Sequence, residues 1–166
     1  MAIRGITFDN QVPTAASQRA MMANALTDGV LLGNLSYNGS TFNIGGGFVI
    51  ASGAVVQLDS AGASVNISGS GYARIKARID TSKASTTSTF EQFSFTYDTA
   101  ASVSAFPALQ HDNINSGANK IYEAEIAVVK IGTAGIVRKA TATPKIPHGD
   151  TLPTVGAEGE IFLLKV

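Results

Sequence analysis

The chain has 166 residues, 45% of them apolar and 14% charged, with twelve basic residues against twelve acidic ones. That is enough sequence for one folded domain with a real core, and the balanced charge leaves no net field to gather nucleic acid or an anionic bilayer. There is no cysteine, which excludes a disulfide frame, a thiolate metal site and a thiol nucleophile.

In chain order, residues 3–8 read as a first strand that ends in the turn-prone pair Asp9-Asn10. The opening residues lack the apolar centre of a signal peptide, and no apolar run approaches the roughly 20 residues of a membrane span, so a chain made soluble in a cytoplasm is expected. Pro13-Thr14 then introduces the one good helix signal, AASQRAMMANALTD. Thr14 is placed to cap it, Ala15, Met22 and Leu26 share a face, and Asp28-Gly29 is placed to close it. A helix this short needs tertiary packing to persist. The pair Met21-Met22 reads as adaptable core filler rather than a partner-binding patch.

Residues 30–32 open the sheet region, and Asn38-Gly39 between two apolar runs is a strong hairpin turn. In residues 41–58, three short apolar runs are separated by Gly45-Gly46-Gly47 and by Ala51-Ser52-Gly53. Glycine reaches positive φ without steric cost, so this stretch reads as a meander of strands joined by tight turns. Residues 64–67 make another short strand. From 72 to 79 the period is two: Ala73, Ile75, Ala77 and Ile79 point one way, Tyr72, Arg74, Lys76 and Arg78 the other, which predicts one buried and one wet face.

Residues 81–89 form a polar loop, followed by a strand on which Phe93, Phe95 and Tyr97 share a face, with Glu91 in line with them. Aromatics at strand period serve packing more often than they form a stacking platform. Residues 100–117 read as a long exposed loop broken at Phe106-Pro107. Such loops often carry function, and Phe106, His111, Asp112 and Asn113 are its candidate ligand-binding residues. Residues 120–131 are the longest predicted strand, with Tyr122, Ala124, Ile126 and Val128 on one side and Glu123 and Glu125 on the other. Alignment of these acids with Arg74, Lys76 and Arg78 across an antiparallel pair is expected. The body is taken as residues 1–140. Residues 141–166 are an extended tail rich in proline and glycine, ending in an apolar strand in which Ile161, Phe162, Leu163 and Leu164 are candidate oligomer-interface residues.

Chemistry is sparse in this pattern. No phosphate-binding loop, nucleophile elbow, HExxH or calcium loop is present, and the glycine triplet opens no helix that could present its N-terminus to phosphate. His111-Asp112 and His148 with Asp150 each fall short of a metal-ligand set. No acid, base or nucleophile stands out, so a protein that is not an enzyme and needs no cofactor or metal is expected.

The order of elements carries a resemblance. A short first strand, a helix ending in DGVLLG, the run LSYNGSTFNIGGGFVIASGAVVQL, the strand YARIKARID, a polar loop and KIYEAEIAVVKI together resemble the N-terminal, or shoulder, domain of baseplate and receptor-binding proteins of siphophages that infect Gram-positive bacteria. The resemblance covers roughly residues 3–139. It implies an all-β protein, a β-sandwich of short antiparallel strands with one short N-terminal helix. It also implies a homotrimer in the virion, assembled in the host cytoplasm, that docks a host-adhesion device to other tail or baseplate proteins. The segment GDTLPTVGAEGEIFLLKV is similar to short stretches of phage tail and fibre proteins. The alternative is a carbohydrate-binding module that recognises bacterial cell-wall saccharide. Neither reading involves nucleic acid or membrane insertion.

Overall fold

The structure, a computed structural model, describes residues 14–86 and 90–145. The expected first strand at residues 3–8, the C-terminal apolar strand, and His148 and Asp150 lie outside the described residues.

Helix α1 (Ala15–Ala25) starts where Thr14 stands in extended conformation and accepts the Ser17 N–H on its side chain at 3.1 Å, which satisfies one of the orphan donors of the first turn. It stops earlier than Asp28-Gly29. Leu26 turns extended and pairs with Pro144, so tertiary pairing ends the helix before its local signal does. No α1 residue is buried.

The ten strands of the described chain pair antiparallel. Strands β1 (Gly29–Leu31), β4 (Gly47–Ala51) and β5 (Ala54–Leu58) form one sheet in the order β1-β4-β5, while β2 (Leu35–Tyr37), β3 (Thr41–Ile44) and β6 (Ala63–Asn66) form a second in the order β2-β3-β6. Strands β7 (Tyr72–Asp80), β8 (Phe93–Ala100), β9 (Ile121–Lys130) and β10 (Arg138–Lys139) form the third, in the order β10-β9-β7-β8. The all-β expectation with one short helix holds. The first sheet lies against the third through β4 on β7 and β9. Between the sheets sit Phe42, Ile44, Val49, Ile75, Ile126 and Val129, each fully buried, with Phe93, Phe95 and Tyr97 packed on the rim of that core as expected.

The predicted hairpin at Asn38-Gly39 joins β2 to β3, and the Asn38 side chain accepts the backbone N–H groups of Ser40 and Thr41. The predicted meander over residues 41–58 is corrected. Only β4 and β5 form a hairpin. Strand β3 pairs with β2 and β6, so the glycine triplet carries the chain from one sheet to another. The crossing is tight: a Cβ on Gly46 would lie 2.4 Å from the Asp59 carbonyl oxygen. Glycine is needed here for close approach of two backbones, not for a turn.

Strand β9 departs from simple alternation. Ile75 opposes Ala127 but Lys76 opposes Glu125, which makes Ile126 the extra residue of a β-bulge. Beyond the bulge parity reverses, so Ala127 and Val129 join Ala124 in the core, and Val128 falls opposite Arg74 on the charged side. The expectation that Val128 shares a face with Tyr122 and Ala124 fails for that reason.

The body also runs past residue 140. Ala140 N–H donates to the Ile126 carbonyl, Val30 N–H to that of Ala140, and Ala142 N–H to that of Val30. Thr27 N–H donates to the Thr143 carbonyl, Thr143 N–H donates to Thr27 Oγ1, and Lys145 N–H donates to the Ala25 carbonyl. Residues 138–145 thereby stitch β9 to β1, and Ala142 is buried between them.

Candidate functional site

Strand β7 is central in its sheet, so both neighbours present side chains to its basic row. Arg74 stands opposite Asp98 on β8, and Arg78 opposite Glu123 on β9. The expected alignment of basic and acidic rows across β7 and β9 is present. Lys76 Nζ bonds both Asp98 Oδ1 and Glu123 Oε1 at 2.8 Å, Arg74 Nη2 reaches Asp98 Oδ2 at 2.7 Å, and Arg78 Nη1 reaches Glu123 Oε1 at 2.9 Å. Glu125, opposite Lys76 in register, instead forms a bidentate pair with Arg138 of the neighbouring strand β10 at 2.7 and 2.8 Å.

The expectation of a wet face here is corrected. Arg74, Lys76 and Glu123 are each only 6% exposed, since the loop after β8 folds back over them. A 3-10 turn (Val103–Ala105) leads to Phe106, whose ring lies 5.0 Å from the Arg74 guanidinium, a cation–π contact. The Pro107 carbonyl accepts from Arg74 Nη2 at 2.6 Å, and Gln110 N–H donates to Glu123 Oε2 at 3.2 Å. Charges removed from water in this way persist only when paired and hydrogen-bonded. Two atoms of this sheet, Arg74 Nε and Thr96 Oγ1, are buried without a protein partner.

Electrostatics follows the geometry. Burial pushes the Asp98 carboxyl up, but hydrogen bonds from Lys76 and Arg74 outweigh it and hold the group below its ordinary value. Burial likewise raises Glu123, and the Lys76 ammonium, the Gln110 N–H and Arg78 together bring it below its ordinary value. Tyr122 goes the other way. Burial raises its phenol, and so does the hydrogen bond it donates to Asp28 Oδ2 at 2.6 Å. The other oxygen of Asp28 accepts the Ser52 N–H at 2.8 Å, so Asp28 ties the β4–β5 turn to β9 instead of closing the helix.

The four residues expected to bind ligand are not brought to one point. Phe106 covers Arg74. His111 stacks on Tyr122 with ring centroids 4.9 Å apart, and Asp112 accepts from Ile121 N–H at 2.9 Å and from the Gln110 side chain. Asn113 accepts the Asn115 N–H within its own turn. Much of the loop is thus laid along the outer edge of β9. Among the described residues no group of three His, Asp or Glu lies together as a metal site, and no helix is long and apolar enough to cross a membrane.

A second feature had no clear sequence signal. A groove of about 550 Å³ opens between α1, the start of β5, and Thr81, Ser85, Phe90 and Gln92. Met22, Val55, Val56, Ile79, Phe90 and Ile114 line it, with Arg19 as its charged residue. Val55 is 46% exposed and Phe90 59%. Arg19 donates from Nε to Asn115 Oδ1 at 2.8 Å, which fastens the helix to the loop before β9. Its residues come from four separate stretches of chain, and in the sequence Met22 reads as core filler and Ile79 as part of a buried strand face, so nothing in any one stretch marks a groove.

No protein-family model matches this sequence, and no characterised protein is significantly similar to it.

Proposed function

We propose that the chain is a non-enzymatic structural protein of a phage virion. In this reading it is a homotrimeric module of the tail baseplate or host-adhesion apparatus that acts as a docking scaffold or receptor-binding component. The order of elements supports this reading, an N-terminal helix followed by a body of short antiparallel strands, as in the shoulder domains the sequence resembles. The observation that carries it is the surface around α1. The helix buries none of its residues on the body, Met21 is 51% exposed, and Val55 and Phe90 are open beside it. An isolated helix of this length is marginal in water, and apolar surface of this kind suits a component that is covered on assembly.

The second reading, a module that binds cell-wall saccharide, needs an open aromatic platform near Phe106 or Tyr97. Phe106 lies over Arg74 and Tyr97 packs against the core, which weighs against it. Immunogold labelling of purified virions with an antibody to this chain tests the leading reading, and label at the tail tip is expected. Virions without label, or a monomer by native mass spectrometry at micromolar concentration, would overturn the location or the trimer respectively.

A further inference from the structure

We infer that the free edge of β8 is a self-association surface, on which β8 of a second copy pairs antiparallel about a two-fold axis at Thr96 and continues the sheet across the contact.

The free edge follows from the register. Asp80 N–H donates to the Gln92 carbonyl, and from there β7 and β8 run in unbroken register, from Ile79 opposite Phe93 to Tyr72 opposite Ala100. Antiparallel pairs alternate between bonded and non-bonded. Ser94, Thr96, Asp98 and Ala100 therefore bond to β7, and the N–H and C=O groups of Phe93, Phe95, Tyr97 and Thr99 point away from it. β8 is the last strand of its sheet, and among the described residues no strand, turn or loop backbone pairs with those four on the outer side. Native edges are commonly guarded by lysine, proline, a bulge or shortness. Residues 93–100 hold no lysine, arginine or proline, and their register with β7 has no bulge. Their one charge, Asp98, is turned to Arg74 and Lys76. The other outer strands have five residues or fewer, against eight here.

Complementarity selects a second copy as the occupant. With the axis at Thr96, Phe93 stands opposite the partner's Thr99 and Phe95 opposite the partner's Tyr97. Every outward residue is then used, in four pairs that each exchange two hydrogen bonds. Phe95 and Tyr97 lie on the rim of the core, so their pairing carries apolar packing across the contact, and aromatic pairs between strands are stabilising. On the opposite face Ser94 meets the partner's Asp98, so no like charges are opposed. Thr96 meets its own copy in a pair without backbone bonds, where cross-strand side chains come closest. Its hydroxyl is buried without a protein partner in the single copy, and a Thr–Thr hydrogen bond across the axis supplies one. An axis at Phe95 or Tyr97 would instead set Thr96 opposite the partner's Ser94 or Asp98 and leave an end residue of the edge unpaired. The contact is isologous, so it does not build the homotrimer proposed above. It joins a copy in one trimer to a copy in another, or two lone copies where no trimer forms.

Hydrogen exchange of the full chain, read residue by residue by mass spectrometry, tests the edge with no variant. The amides of Phe93, Phe95, Tyr97 and Thr99 should exchange severalfold more slowly in concentrated than in dilute protein. Single cysteines, in a chain that has none, test the axis. Thr96→Cys sets two thiols face to face and should give a covalent dimer on mild oxidation. Ser94→Cys should not, since its thiols would stand four strand positions apart, roughly 13 Å, beyond disulfide reach. Thr99→Pro removes an outward N–H that makes no bond within the described chain, so circular dichroism should be unchanged while the disulfide yield of Thr96→Cys and the concentration-dependent slowing both fall severalfold. Free exchange at every concentration would overturn the inference. Slow exchange that is independent of concentration would place a segment of the same chain on the edge and overturn it too. So would equal dimer yields from the two cysteine variants, or a yield indifferent to Thr99→Pro. None of these outcomes bears on whether the protein is found in a virion.

Discussion

Consider the pair Lys76 and Glu123, replaced singly and together by alanine. Each has less than a tenth of its side chain exposed, and their charged atoms are 2.8 Å apart. Removal of one partner of an isolated buried pair costs about 3–5 kcal/mol, because the other is left charged and unpaired. Here each partner has a reserve. Without Glu123, Lys76 keeps Asp98, and without Lys76, Glu123 keeps Arg78 and the Gln110 N–H. Each single variant should therefore fall near the lower end of that range, about 3 kcal/mol, and the coupling energy of the cycle should be about 1–3 kcal/mol. A pair on a solvated surface would give only about 0.2–1 kcal/mol, less in salt. Urea unfolding at 25 °C, at low and at 0.5 M salt, measures all four proteins on one scale. Coupling within about 0.5 kcal/mol of zero, or coupling that collapses in salt, would refute the claim that the loop of Phe106 and Pro107 removes this pair from water.

The same network predicts an acid limb. Asp98 and Glu123 have pKa values below their ordinary 3.8 and 4.5, so their stabilisation is complete above those values and is lost as pH falls through the depressed folded ones. Thermal melts should be flat from about pH 7 to 5 and fall steeply below, and the combined Asp98→Asn, Glu123→Gln variant should show a shallower fall. Gly53→Ala should be destabilising by more than about 1 kcal/mol. Gly53 has φ +73°, and a Cβ there would meet the Arg19 carbonyl and the Ala23 amide on α1; helix signal in circular dichroism should fall with it. Leu32 has φ 65° and is 80% exposed, which costs about 1–2 kcal/mol for a residue with a bulky Cβ substituent. Leu32→Asn should raise the urea midpoint, by up to about 1 kcal/mol in stability, and an unchanged or lower midpoint would count against strain at that position.

Local signals were the legible ones. Asn38-Gly39 marks its hairpin because an asparagine side chain and a glycine solve a turn within four residues, and Thr14 marks the helix start for the same kind of reason. The core face of β7 was readable from its period. Its other face was not, because alternation reports that two faces differ and says nothing of a loop 30 residues on that will cover the second. Glycine at 45–47 was ambiguous in principle: a tight turn and a crossing between sheets ask for the same residue, and only the partner across the way, Asp59, distinguishes them. The bulge in β9 was hidden by its own composition. Ile126, Ala127, Val128 and Val129 are all apolar and all buried, so one residue too many leaves no trace in the pattern. As for the candidate site, Phe106 and Asp112 were singled out on a loop that matters, but as its fastenings to β7 and β9. The groove beside α1 was beyond reach, since it exists only after four distant stretches have met.

The stitch between residues 27 and 143 bears on the order in which the protein is built. The two threonines are 116 positions apart, and closing a loop of that length costs about 4 kcal/mol of chain entropy before any contact is gained. Two threonine hydroxyls and a few amides cannot offset that alone. The intervening sheets must first bring the ends together, with the hairpins β2–β3 and β4–β5 forming early and the long pairing of β7 with β9 following. On a ribosome the final seam must wait until residue 145 has left the exit tunnel. Until then β1 is open on the side that residues 140–142 later occupy, and the growing chain passes through a stage in which that strand is available to the wrong partner.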